Sequence, residues 1–422
     1  MSSRLKLLIL FVFATTTISC KSQKKKICWD KDIEFIKNKL PEKHINLFFT
    51  KSKSEFSRGL DNIKKKINEL SDIEIALKLQ QLMVNMGDSH TGLDWRQLID
   101  KEKILPIKNY WFTDGIYITH AKSENKKILG AKILGINKHP VGEIIESLKT
   151  LIVAENNGVT KKSIPYLIRY AQVLDFFGFS NNGKYLFLLE SLNGEVFSYE
   201  IVPEDIKNRE YLSLEINPRP YYLEDTKIAF RQKYYVEDSI LYAQYNRCTN
   251  KKKIFFSGQW DKFKSTPSFS GFKSTILKAI NEGKVKKLIF DMQFNTGGFS
   301  GQGTKFVKQL SKTKINKKGS LFVIIGRNTF SSAIINTYDF ITYTEAILIG
   351  EETAGKLNHY GEVKKMKLPT SGLLLYYSTD FFQLDAKQSE QNTINPDILI
   401  ERSFNNYLNG IDPVYEYVKQ EE

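Results

Sequence analysis

Three apolar runs, Leu288 to Phe290, Leu321 to Gly326 and Ala346 to Gly350, are each followed by a glycine-bearing turn, and helix-like segments near 301 to 311 and 331 to 342 lie between them. A strand without polar alternation has to be covered on both faces, and helices between such strands provide that cover in a largely parallel sheet. From about 225 onward the chain is therefore expected to be α/β. Ligands of open α/β sheets bind beyond the carboxyl ends of the strands. The three turns that follow these runs are thus expected to converge on one sheet edge.

Upstream the period changes. From about 30 to 100 it is helical: Ser71-Asp-Ile-Glu74 is a capping box, and Ile75, Leu79, Leu82, Met83 and Met86 share one face before Gly87 ends the helix. That turn delivers Asp88-Ser89-His90. From about 103 to 205, short β-like runs (Ile116 to Thr119, Ile128 to Ile136, Tyr185 to Leu189, Val196 to Val202) surround a helical stretch from Lys162 to Phe177, which predicts a small mixed domain. The resulting division is 1–20, 21–102, 103–205 and 206–422.

Residues 1–20 read as an export signal, with Arg4 and Lys6 ahead of an apolar-to-small stretch that is short for a membrane span. It stops at Ser19-Cys20, which resembles a bacterial lipobox with Cys20 as the lipidated residue; a plain secretory signal is the alternative. The net charge is +15, but the lysines are spread in short runs such as Lys24 to Lys26 and Lys251 to Lys253, without a stacking or base-reading motif, so nucleic acid is not an expected partner. Five histidines and three cysteines show no zinc-binding spacing, so neither a metal nor an organic cofactor is expected. Cys28 and Cys248 are expected to be two free, buried thiols.

The chemistry is expected at the three turns. Asp291-Met-Gln-Phe-Asn-Thr-Gly297-Gly298 sits between a strand and a helix, where glycines leave N–H groups free to face an anion. Ser331 and Ser332 open the next helix, a position that suits a cap as well as a nucleophile. Lys356 closes the third turn; to act as a base its pKa must fall from ~10.4 to near 7, which takes roughly 4 kcal/mol of burial and neighbour effects.

These residues resemble the tail-specific, or C-terminal processing, serine peptidases, a family that includes the tricorn core protease. The similarity extends over most of 75 to 420. It rests on Gly87-Asp-Ser-His-Thr91, Ile133-Leu-Gly-Ile-Asn-Lys-His-Pro-Val-Gly-Glu143, Asp291 through Gly298, Thr329-Phe-Ser-Ser-Ala333 and Gly350 through Lys356, with Pro396-Asp-Ile398 and Asp412-Pro-Val414 closing the pattern. The resemblance implies an N-terminal helical region, a degenerate PDZ-like β domain over 103–205 and a crotonase-like α/β catalytic domain.

It also implies roles. Ser331 precedes Lys356 by 25 positions, the processing-peptidase interval, which marks Ser331 as nucleophile. The Ser332 N–H, with one from Gly297 or Gly298, would form the oxyanion hole. The tricorn branch takes its base from a Ser-His pair and assists it with a glutamate, and Ser89-His90 and Glu390 occupy comparable places. His90 and Lys356 thus compete as base, and the reading leans to His90 because Tyr360 stands where the dyad type carries Gln. Gln293 stands where the family commonly has Arg, which removes an expected support of the oxyanion turn.

The function implied is a lipid-anchored serine endopeptidase of the bacterial cell envelope that cleaves polypeptides or peptide tails through a Ser331 acyl-enzyme. The alternative is an inactive relative that binds peptides or apolar ligands in the same cleft.

Overall fold

The structure, a computed structural model, describes residues 26–205, 210–249, 251, 267–388 and 393–421. Cys20, Glu390, residues 1–20 and most of the Lys24 to Lys26 and Lys251 to Lys253 runs lie outside the described residues.

The C-terminal sheet has the order Ile398–Leu399, Ile347–Gly350, Leu321–Ile325, Lys287–Asp291, Ile240–Tyr245, Phe230–Tyr235. All neighbours are parallel except the last pair. Every residue of Leu321–Ile325 is buried. Leu321, Val323 and Ile325 face a core shared with Phe306, Val307, Ile334 and Phe340 of the helices Gly301–Leu310 and Ser332–Tyr343. Phe322 and Ile324 face a second core closed by Val414 and Val418 of the helix Pro413–Gln420. Two-sided cover is therefore why this strand is apolar throughout.

The N-terminal part packs helices Trp29–Lys43, Lys53–Lys64 and Asp72–Asn85 into one continuous apolar core with an antiparallel sheet. Ser71 caps the third helix: the Glu74 carboxylate accepts from both its N–H and its hydroxyl. The antiparallel sheet is built from Ile107–Phe112, Gly115–Ala121, Lys132–Ile136, Leu186–Glu190 and Val196–Glu200. Two expectations need correcting here. The stretch from Lys162 to Phe177 is two helices, Asn157–Leu167 and Ala171–Phe176, and Ile128 belongs to a 3₁₀ turn ahead of its strand.

A hairpin that the sequence reading misses joins the halves. Strands His359–Lys367 and Leu374–Phe382 follow the third turn and pair with each other. The second also pairs with Gly92-Leu93, with Gly92 opposite Tyr376 and Leu93 opposite Leu375. Its Leu375 and Tyr377 enter the N-terminal core. Arg327 supplies a second link, donating to both Glu351 oxygens (2.6 and 2.9 Å) and to the Trp111 carbonyl.

Candidate active site

The three turns do meet at one edge, because their strands are adjacent and parallel. Backbone bonds knit them: the Phe330 N–H donates to the Asn295 carbonyl (3.1 Å) and the Ala354 N–H to that of Thr329 (3.0 Å).

Ser331 precedes the helix Ser332–Tyr343 with φ 54° and ψ −126°, and its side chain makes no capping bond. A non-glycine residue in that region costs on the order of 1–3 kcal/mol. The capping explanation therefore fails: the hydroxyl has no hydrogen-bond partner among the described residues while the backbone carries strain. Ser332 is different, since its hydroxyl donates to the Gly298 carbonyl at 2.8 Å.

The glycine turn lies directly against this serine. A Cβ on Gly297 would stand 2.9 Å from Ser331 Cβ and 3.0 Å from the Ser332 nitrogen. The Gly297 N–H is committed to Asn295 Oδ1 (3.0 Å). The N–H groups of Gly298 and Ser332 have no acceptor among the described residues.

Cys248 braces the turn from behind. Its N–H donates to the Gly297 carbonyl, its carbonyl accepts from Phe299, and its thiol donates to Asn295 Oδ1. Both cysteines are free, but only Cys248 is buried; Cys28 is exposed, contrary to expectation. Burial pushes the Cys248 thiol up to about 11, so it stays protonated.

Arg402 restores the support expected to be lost at Gln293. The Gln293 N–H and side-chain amide both donate to Asp291 at 2.9 Å. Its Oε1 accepts from Arg402 Nη1 at 2.8 Å, and Arg402 Nη2 reaches Asp412 at 3.2 Å. An arginine remote in sequence thus holds the turn through Gln293.

His90 arrives from the N-terminal part. Asp88 organises its loop, accepting from the His90 N–H (2.9 Å), the Thr91 hydroxyl, the Ser378 hydroxyl (2.7 Å) and His44 Nε2 (3.0 Å). His44 Nδ1 accepts the Asn46 N–H, so Nε2 carries the proton given to Asp88. The His90 ring stacks between Phe330 (4.6 Å) and His359 (5.7 Å). Neither of its nitrogens has a hydrogen-bond partner among the described residues, so the ring caps no helix. Burial pulls the imidazole down to about 4, aided by the charges of His359 and Lys162 and opposed by Asp88. It is neutral, and able to accept a proton, at physiological pH.

Lys356 is half-buried, and its N–H donates to Glu155 Oε2 at 3.2 Å. Glu155 was not anticipated from the sequence. It sits in the loop before Asn157–Leu167, and its carboxyl is pushed from 4.5 up to about 7 by burial, against the opposing charge of Lys356 and the nearby Ser89 hydroxyl. Ser89 thus lies near Glu155, whereas Glu390 lies outside the described residues. Tyr360 faces the N-terminal helices: its hydroxyl accepts from Asn46 Nδ2 (3.1 Å) and its ring packs on Phe49 and His44.

A cleft of ≈ 480 Å³ opens beside these groups, lined by Ser89, His90, Lys162, Phe330, Ala354 and Tyr376 among others. Among the described residues no cluster of side chains is suited to hold a metal ion.

No protein-family model matches the chain, and no curated protein matches it in sequence. Solved structures do match. Mature CPAF in complex with lactacystin superposes with a TM-score of 0.60 at 11% identity, covering 93% of this chain and 98% of that one. The photosystem II D1 C-terminal processing protease matches with a TM-score of 0.36 at 9% identity, over 88% of this chain and 92% of that one. The tricorn protease matches with a TM-score of 0.39 at 15% identity, over 93% of this chain and 36% of that one. The chain has the fold of mature CPAF.

Proposed function

We propose that this chain is a serine endopeptidase in which Ser331 attacks a peptide carbonyl and His90 takes the hydroxyl proton. The observation that carries the proposal is Ser331 itself: a strained, uncapped serine beside two unused N–H groups, with the neutral imidazole of His90 stacked on the ring of the preceding residue, Phe330. The carbonyl oxygen of the tetrahedral intermediate would accept from Gly298 and Ser332, donors each worth ~3–4 kcal/mol where such groups have been measured. His90 then returns its proton to the leaving amine, and water repeats the cycle to release the acyl group. Apo catalytic contacts are commonly loose and tighten with substrate, in keeping with the unpartnered ring of His90.

Lys356 is read as a neighbour that holds Glu155 through its N–H and its charge. Ser89 and Glu155 position the loop bearing His90, and Glu390 keeps the assisting role that the sequence resemblance suggests. We read the antiparallel region as PDZ-like, the C-terminal sheet as crotonase-like, and 1–20, 21–102, 103–205 and 206–422 as the functional divisions. Cys20 is proposed as the lipid attachment point in a bacterial envelope, where the substrates would be polypeptides or their tails.

The test is labelling of the chain lacking residues 1–20 with a fluorophosphonate, followed by mass spectrometry. Modification at Ser331 is expected, lost in Ser331→Ala and His90→Ala and kept in Lys356→Ala. A base held near 4 should keep the labelling rate level from about pH 8 down to about pH 5, well below the ordinary imidazole range near 6.5. Loss in Lys356→Ala with retention in His90→Ala would transfer the base role to the lysine. No labelling of the folded protein at any pH would reject the peptidase reading in favour of a ligand-binding relative.

A further inference from the structure

The cleft beside Phe330 is lined by a half-buried cation that has no counter-charge among the described residues. Lys162, on the helix Asn157–Leu167, lines it together with His90 and Phe330. Its Nζ lies 5.3 Å from the centroid of the Phe330 ring, the residue immediately before Ser331. It makes no hydrogen bond or ion pair with any described residue.

The nearby acids are otherwise engaged. Asp94, which also lines the cleft, lies 3.5 Å from Arg96 Nε and accepts from Gln97. Glu155 accepts from the Lys356 N–H. Asp88 is occupied by His44, Thr91, Ser378 and the His90 N–H. Burial draws Lys162 below its ordinary value, and no carboxylate acts to restore it. A half-buried ammonium has given up part of its hydration without gaining a charged partner, and an aromatic face offsets only part of that loss. A ligand that fills the cleft displaces the remaining water from this ammonium, and a carboxylate on that ligand would replace the lost hydration.

We propose that Lys162 forms a carboxylate-binding subsite, so that the preferred substrates carry an Asp or Glu side chain close to the bond presented to Ser331. This rests on the peptidase reading above. The carboxylate would complete the ion pair within the cleft and draw the peptide against Phe330. Lys162 is a specificity residue in this account, and His90 remains the base.

Paired internally quenched peptides, identical except for Glu or Gln at each position flanking the cleaved bond, test it. At one position the Glu peptide should have the higher kcat/KM by about tenfold or more, the effect of one charge-assisted pair. Lys162→Met should bring that ratio to about one, Lys162→Arg should restore most of it, and Lys162→Glu should favour a Lys peptide instead. Equal turnover of the Glu and Gln peptides by the wild type, or a preference that persists in Lys162→Met, would overturn the proposal. Calorimetry of the same peptides with Ser331→Ala separates the two readings: equal affinities refute the subsite even if no peptide is ever cleaved. Absence of Ser331 labelling refutes the peptidase reading alone.

Discussion

At the scale of single residues, the site combines groups the sequence exposes with one it hides. Ser331 and His90 are legible because each sits in a short motif at an element boundary. Glu155 is not, since nothing in Ala154-Glu155-Asn156 distinguishes it until the chain folds around it. Its titration makes it testable. Unfolded, the carboxyl has its ordinary value of 4.5; folded, it stands at about 7. Between those values the folded chain keeps a proton that the unfolded chain has lost. The contribution to stability is therefore fullest below 4.5, declines as the pH rises to about 7 and is level above that. Glu155→Gln removes the buried charge, so urea unfolding should show a gain of up to about 3 kcal/mol near pH 8 and almost none near pH 4. A gain of the same size at both pH values would show that the titration is not its cause.

At the scale of elements, the parallel strands and their helices are legible because two-sided burial writes itself as unbroken apolar runs. The hairpin His359–Lys367 and Leu374–Phe382 is not, because its first strand carries Lys364, Lys365 and Lys367 on largely exposed backbone. Pairing, rather than apolar pattern, defines it. The glycine turn offers a prediction at this scale. Gly298 has φ 131°, and a Cβ there would stand 2.3 Å from the Cys248 carbonyl oxygen. Gly298→Ala should push the turn away from Cys248, lower stability by roughly 1–3 kcal/mol in thermal unfolding, and slow fluorophosphonate labelling of Ser331 by about 100-fold as the oxyanion donor moves. Labelling at the wild-type rate would remove the Gly298 N–H from the proposed oxyanion hole.

At the scale of the whole molecule, the candidate site exists only where the two cores meet. His90 is brought onto Phe330, next to Ser331, because Gly92-Leu93 is stitched to the hairpin that follows Lys356, and because Asp88 is bonded to Ser378 of that hairpin. Arg327 fastens the other side by joining Glu351 to the Trp111 carbonyl. The proposed anchor belongs to this scale too. Cys20→Ser in the full chain should move the protein from the membrane fraction to the soluble fraction and abolish incorporation of labelled palmitate, while Ser331 labelling is kept. Equal membrane association of the two forms would discard Cys20 as the anchor. By itself the sequence determined the α/β architecture, the common edge of the three turns, the nucleophile candidate and the His90 motif. The first two follow from local periodicity and turn chemistry, which act over a few residues, while Ser331 and His90 are marked by the resemblance to the processing peptidases. Only the tertiary structure decided which glycine N–H stays free, that Arg402 supports the turn through Gln293, that Glu155 stands beside Ser89 and Lys356, and that Lys162 lines the cleft without an ion-pair partner among the described residues. Those depend on which distant side chains exclude water together, and burial and long-range pairing leave no periodic mark on the chain.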